Sequence, residues 1–221
     1  VIMRIGKWVL AFSSLIAGAA LIFYPIVQSQ KIDAKQSELL NTLAAQRKES
    51  NSALDAIFQN GPPVDSSVTA ETATSSAIAQ LTIPGIEANM PVVNGASLED
   101  MKYAAGRMKG TAPIGSVGNA AVAAHRSFTE GQFFNRLDEV KDGDQVIVQT
   151  ADETYIYIVE QTTRVLPNDV SVLEPSGESS ELTLITCDPM INPTHRLIVK
   201  AKLAEKPTSD ALSDDANGGT Q

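Results

Sequence analysis

Cys187 is the only cysteine of the chain and closes the apolar run TLITC; His125 closes a second run, GNAAVAAH, and Arg196 opens a third, RLIVKAKL. A thiol, an imidazole and a guanidinium set at the ends of apolar runs can together carry out nucleophilic acyl transfer. The thiolate is the reactive form, yet with an ordinary pKa near 8.5 only about 3% of a thiol is ionised at pH 7. A neighbouring imidazole supplies a base or an ion-pair partner. An arginine stabilises either the thiolate or the oxyanion that forms when a carbonyl is attacked. One cysteine makes no intrachain disulfide, so the thiol is incidental, paired between chains, or chemically used.

Strand geometry decides which of these residues can meet. Side chains alternate along a strand, so Leu182 and Leu184 share one face while Thr183, Ile185 and Cys187 share the other. In the next run Leu197, Val199 and Ala201 form one face, and Arg196 and Ile198 the opposite one. If the leucines face the core, Cys187 and Arg196 lie together on the outer face. The connection from Asp188 to Thr194 carries two prolines, Pro189 and Pro193, which suits a stiffened loop at the rim of a groove. The alternation favours His125 as the partner imidazole, because His195 adjoins Arg196 and should face away from it; a bulge or an early strand end would reverse that. Taken singly, each residue has a plainer reading. A lone cysteine is usually a small buried hydrophobe and a strand arginine a solvated edge charge; it is the combination that points to chemistry.

The elements that must position these residues are strands. From Leu81 onward short β-type runs alternate with turn residues: LTIPGI, MPVV, NAAVAA, QVIVQT, TYIYIVE, TTRVL, LTLITC and RLIVKAKL, eight candidate strands in all. KDGD and TADET supply turns, and SLEDMKYAAGR reads as a short helix with a serine cap. This is an all-β barrel or sandwich over residues 81–203. Residues 204–221 form an acidic tail poor in large apolar groups, expected to be disordered.

Upstream, Trp8 to Val27 is a run of twenty uncharged residues, long enough as a helix to span a bilayer. Arg4 and Lys7 precede it, which places residues 1–7 in the cytoplasm and the rest outside the cell membrane. A cleavable signal peptide would also be apolar, but YPIVQSQKID offers no small-residue cleavage site, so an uncleaved single-pass anchor in membrane lipid is expected. Residues 28–80 read as a helical stalk followed by a flexible linker. Leu40, Leu43, Leu54 and Ile57 repeat at helical spacing, but Arg47 and Ser50 interrupt the stripe, so the stalk reads as a solvated helix rather than a coiled coil. Gln59 to Gln80 is dominated by Ser, Thr, Ala and Pro. A net charge of −9 argues against a nucleic-acid partner.

The ordered set of a histidine in AAHRS, then TLITC about sixty residues on, then an arginine nine residues later in THRLIVK resembles the sortases, membrane-anchored cysteine transpeptidases of Gram-positive bacteria. The resemblance covers roughly residues 81–203. It implies an eight-stranded sortase-type β-barrel whose groove binds an LPxTG-like sorting signal. It further implies that Cys187 attacks the signal's Thr carbonyl, that His125 protonates the departing glycine amine, and that the thioacyl-enzyme passes the protein to an amino group of a peptidoglycan precursor. Arg196 would hold the carbonyl or its oxyanion, and Thr186 would help position the substrate. Class C pilus polymerases usually carry a lid with an Asp-Pro-aromatic motif; this sequence runs LTIPGIEANMPVVNG straight into the barrel, which looks like a class D or class A enzyme.

No cofactor or metal is expected. Some class A members use calcium, but Asp138, Glu139, Asp142 and Asp144 lack EF-hand spacing and read as a solvated turn. Two rivals remain. Papain-like wall peptidases place Cys before His, the reverse of the order here, and the L,D-transpeptidases carry a Ser-His-Gly-Cys run that is absent. A non-catalytic tethered β domain that binds wall components would keep Cys187 buried and inert.

Overall fold

A computed structural model describes residues 18, 24, 27–48, 76–97, 99–129, 132–175 and 177–205. The expected span at 8–27 lies outside the described residues save for Gly18, Tyr24 and Val27, as do most of the linker and all of the tail beyond Glu205. No helix among the described residues is long and apolar enough to cross a membrane.

Eight strands close into one barrel: β1 (Ala77–Ile83), β2 (Ala88–Asn94), β3 (Ala105–Arg107), β4 (Gly118–Ala123), β5 (Gln145–Thr150), β6 (Thr154–Val165), β7 (Ser180–Asp188) and β8 (His195–Glu205). Around the barrel the order is β1-β2-β3-β4-β7-β8-β6-β5, and β5 pairs back to β1. Closure leaves no sheet edge to template association. Two neighbours are parallel, β2 with β3 and β4 with β7; the second of these builds the site.

Period-two patterning drives the interior. In β1 the residues Ala77, Ala79, Leu81 and Ile83 are buried while those between are half-buried. Leu81, Ile83, Met90, Val92, Val122, Tyr157, Leu182, Leu184, Leu197 and Val199 belong to one core cluster, joined by Phe134 and Leu137 from the β4–β5 connection. Each large side chain taken fully out of water contributes about 1.5–3 kcal/mol.

The strand count of eight stands, but two strands differ from the expected set. TYIYIVE and TTRVL are one strand, β6, whose pairing with β8 skips a residue between Val159 and Gln161. That bulge at Glu160 breaks the alternation and makes one long strand look like two. The eighth strand is β3, the AGR at the end of the expected helix; only Asp100–Lys102 is helical, a single 3-10 turn with Glu99 at its N-cap, while the Ser97 hydroxyl accepts the Asp100 N–H at 3.2 Å. A Cβ at Gly106 would fall 2.2 Å from the Gly95 carbonyl oxygen, so β3 passes β2 only because that residue is glycine. β1 also begins earlier than composition suggests, taking Ala77 to Gln80 from the expected linker.

The residues 27–48 form a helix, α1, and it is not solvated on every side. Leu39 and Leu43 are buried in a second cluster with Ala77, Val93 and Ala104 of the barrel wall, and Ile32 packs against the main core. Arg47, which seemed to spoil the stripe, donates from Nη2 to the Thr154 hydroxyl at 3.4 Å. Leu40 is only half-buried, and Leu54 and Ile57 lie outside the described residues.

Candidate active site

The pairing of β7 with β8 makes Cys187 and Arg196 direct partners across an antiparallel ladder, and Thr186 and Leu197 the pair before them. Opposite residues of such a ladder project to the same face. Leu182, Leu184, Leu197 and Val199 fill the core, so Cys187 and Arg196 project outward, both half-buried, as the alternation predicts. The Arg196 guanidinium donates from Nη1 to the His195 carbonyl at 3.1 Å, which folds its head back along its own strand.

β4 brings the imidazole. It runs parallel to β7 in constant register, from Gly118 opposite Ser180 to Ala123 opposite Ile185. One step further, the Ala124 N–H donates to the Ile185 carbonyl at 3.1 Å and the Thr186 hydroxyl donates to the Ala124 carbonyl at 2.9 Å. Two steps beyond that, Arg126 is ion-paired with Asp188. His125 is therefore bracketed by contacts in the same register, which sets it beside Cys187 on the outward face. Its carbonyl accepts the Phe134 N–H at 3.1 Å and its side chain is exposed.

His195 pairs with Asp188 and its Nδ1 lies 2.9 Å from the Thr194 hydroxyl. It points away from the Cys187 and Arg196 face, as expected. Thr186, expected beside the substrate, is 2% exposed and faces inward. Its hydroxyl anchors the end of β4 instead of lining the groove.

The outward faces of β4 and β7 leading to Cys187 carry Asn119, Ala121, Ala123, Thr183 and Ile185. Asn119, Ala121 and Thr183 are buried, while Ala123 and Ile185, nearest the reacting residues, are half-buried. The β6–β7 segment covers the far end: Asn119 donates to the Val172 carbonyl at 3.0 Å and accepts from the Thr183 hydroxyl at 2.8 Å. On the His125 side lies a cleft of about 410 Å³ between the β4–β5 connection and α1, lined by His125, Phe128, Gln132 and Tyr103 and, from the helix, by Gln28 and Ile32.

Sequence reasoning missed the charges behind the site. Arg126, its side chain 8% exposed, ion-pairs with Asp188 through Nη1 and with Asp138 through Nη2 at 2.7 Å. The second Asp188 oxygen accepts from Arg164 Nε at 2.6 Å. Burial pushes the Asp188 carboxyl up, but the hydrogen bonds from Arg164 and Arg126 outweigh it and hold the group below its ordinary value. Asp138 is thus an ion-pair partner rather than part of a solvated turn. Glu139 pairs with Arg136 at 2.8 Å, and Asp144 accepts the Lys141 N–H at 2.8 Å. Among the described residues no group of three or more His, Cys, Asp or Glu could hold a metal ion.

A sortase-domain family model matches residues 81–204, more than half of the chain. Sortase A of Streptococcus agalactiae is 28% identical over 222 residues, covering 95% of this chain and 89% of that protein. Among solved structures, sortase A of Listeria monocytogenes superposes with a TM-score of 0.56 at 26% identity, over 61% of this chain and 93% of that one. The Clostridium perfringens Sortase D5 transpeptidase has the same fold, with a TM-score of 0.63 at 22% identity over 78% and 99% of the two chains. A closed eight-stranded barrel, a cysteine facing an arginine across β7 and β8, and a family match running the length of that barrel lead to one assignment: this chain belongs to the sortase family of cell-wall cysteine transpeptidases.

Proposed function

We propose that the protein cleaves an LPxTG-like sorting signal between Thr and Gly and transfers the resulting acyl group to an amine of a peptidoglycan precursor. Cys187 Sγ attacks the Thr carbonyl, the C–N bond to glycine breaks, and His125 gives a proton to the departing amine. The incoming amine then attacks the thioester, returns a proton to His125 and releases Cys187. Arg196 swings from its contact with the His195 carbonyl to the substrate carbonyl, where it stabilises the developing oxyanion. The extended signal lies over the half-buried Ala123 and Ile185 and along the cleft beside His125.

The observation that carries this reading is the strand register: Cys187 pairs with Arg196 across β7 and β8, and β4 runs in step with β7 up to Ala123 opposite Ile185, two residues before His125. An inert thiol in the core would be fully buried; Cys187 is not. The hydrophobic run at 8–27 is the reason to place the chain in the cell membrane, N-terminus in the cytoplasm and barrel outside. The class D-like or class A-like assignment follows from the barrel sequence and the lack of an Asp-Pro-aromatic lid motif in it.

Incubation of the purified chain with a small library of LPxTG-like peptides, with mass spectrometry of the intact protein, should trap a thioacyl adduct on Cys187. Cys187→Ala should lose both adduct and transfer. Turnover by that variant would end the proposal.

A further inference from the structure

Behind the reacting side chains lies a four-membered charge cluster to which the transfer chemistry gives no part. Arg126 follows His125 in the chain and Asp188 follows Cys187, so each member of the central pair sits one residue past a reacting group and on the opposite face. We propose that Asp188, clamped by Arg126 and Arg164, is a positioning residue of the transfer: it fixes the end of β4 against the end of β7 and so sets the spacing of the His125 imidazole and the Cys187 sulfur.

Three observations carry this. First, the regular ladder between β4 and β7 stops at Ala123 and Ile185, before His125 is reached. On the near side of His125 the strands are still tied by the Ala124 N–H and the Thr186 hydroxyl; on the far side the tie is Arg126 to Asp188. Second, the Arg126 guanidinium, its side chain 8% exposed, is oriented by two carboxylates, Asp188 and Asp138. Either partner of a buried ion pair left alone is costly, which suits such a pair to fixing one register. Third, Asp188 reaches the rest of the site. It pairs with His195, whose carbonyl holds Arg196, and its own carbonyl accepts the Thr194 N–H at 3.0 Å at the base of the β7–β8 loop. Its second oxygen is held from β6 by Arg164. Two arginines and two aspartates balance, so neutralising any one leaves a charge uncompensated.

The test rests in part on the proposed transfer reaction, so it has one arm that needs no sorting signal. In that arm the rate of Cys187 alkylation by iodoacetamide is followed against pH for the wild type, His125→Ala and Asp188→Asn. In Asp188→Asn the profile should move toward that of His125→Ala. In the second arm, transfer of an LPxTG-like peptide should show kcat about ten- to hundredfold lower in Asp188→Asn with KM little changed, the scale expected when a reacting group is misplaced by about an ångström. In a His125→Ala background the same change should have little further effect, because it acts through that imidazole. Arg164→Gln, at a largely exposed side chain, is the milder variant and should shift both readouts in the same direction by less. A folded Asp188→Asn or Arg164→Gln chain whose alkylation profile matches the wild type overturns the positioning role, as does an equal loss of kcat with and without His125. A shifted alkylation profile in a chain that transfers no such peptide supports the positioning role and rejects the substrate reading instead.

Discussion

The hydroxyl of Thr186 donates to the carbonyl of Ala124 at 2.9 Å, so the residue before the thiol is tied to the residue before the imidazole. The bond is buried, and it spans the parallel pair of strands at the last position before the reacting groups. Thr186→Val keeps the volume and deletes the donor, leaving a buried carbonyl short of a partner at a cost of about 1–3 kcal/mol. A thermal melt should therefore fall by several degrees and kcat should fall with it, whereas Thr186→Ser, which retains the hydroxyl, should recover most of both. Equal melts for the valine and threonine proteins would show that the contact carries no weight.

The two histidines separate cleanly by facing. His125 follows two residues after the last β4–β7 pair, on the side of Ala123, and His195 pairs with Asp188 on the other. His125→Ala should cost at least about 10²-fold in transfer rate, the scale of a lost general acid–base group, and Arg196→Ala a similar factor for the lost oxyanion donor. His195→Ala should remain active within a few-fold. Single-turnover rates with one peptide would check all three, and a His195 variant as impaired as the His125 one would assign the wrong imidazole.

Much of this site could be read before any coordinates. Alternation along TLITC and RLIVKAKL put Cys187 and Arg196 on one face because both strands have one apolar face turned to the core, and the same rule turned His195 away. What local pattern could not convey was the parallel partnership of β4 and β7, strands separated in the chain by two others. Without that register, Arg126 and Asp188 were only two charged neighbours of interesting residues. The signal that would have found them is their spacing: the offset from Arg126 to Asp188 equals that from His125 to Cys187. Thr186 was misassigned for a related reason, since adjacency in sequence within a strand means opposite faces. β3 escaped because three residues, one of them glycine, carry no alternation to detect, and β6 was split because the Glu160 bulge shifts its phase.

Asp188 also sets a pH dependence whose sign is fixed by its partners. Its folded-state pKa lies below the ordinary 3.8: burial raises it, and the bonds from Arg164 and Arg126 lower it further than burial raises it. The unfolded state therefore binds the proton more readily. The stabilisation is complete above about pH 3.8 and is lost as pH falls through the lower folded value. Urea unfolding of wild type and Asp188→Asn should differ by a constant amount from pH 5 to 8, and the two curves should converge in acid below pH 3.8. A gap that instead widens in acid would reverse the inferred sign.

The packing of α1 on the barrel gives the last prediction. Leu39 and Leu43 are each 5% exposed and lie one helical turn apart, against Ala77 at the start of β1, Val93 of β2 and Ala104 before β3. In proteins most helical stability comes from packing an amphipathic face, and here that face is the one carrying these two leucines. Truncating either leucine to alanine should cost about 2–3 kcal/mol of that docking, toward the low end for core leucines because the site lies between helix and barrel wall. The helix touches the margin of the barrel's own cluster through Ile32, while the two leucines lie in the second cluster, so the effect should be mainly local: amide exchange should speed up across residues 27–48 and along Val93 and Ala104, with little change at Leu182 or Val199. Gln28 and Ile32 line the cleft beside His125, so release of the helix also opens that cleft, and peptide transfer in the leucine variants should change through KM more than through kcat. Exchange that stays slow across the helix in the Leu39→Ala, Leu43→Ala double variant would mean that the helix is held by contacts other than these two side chains.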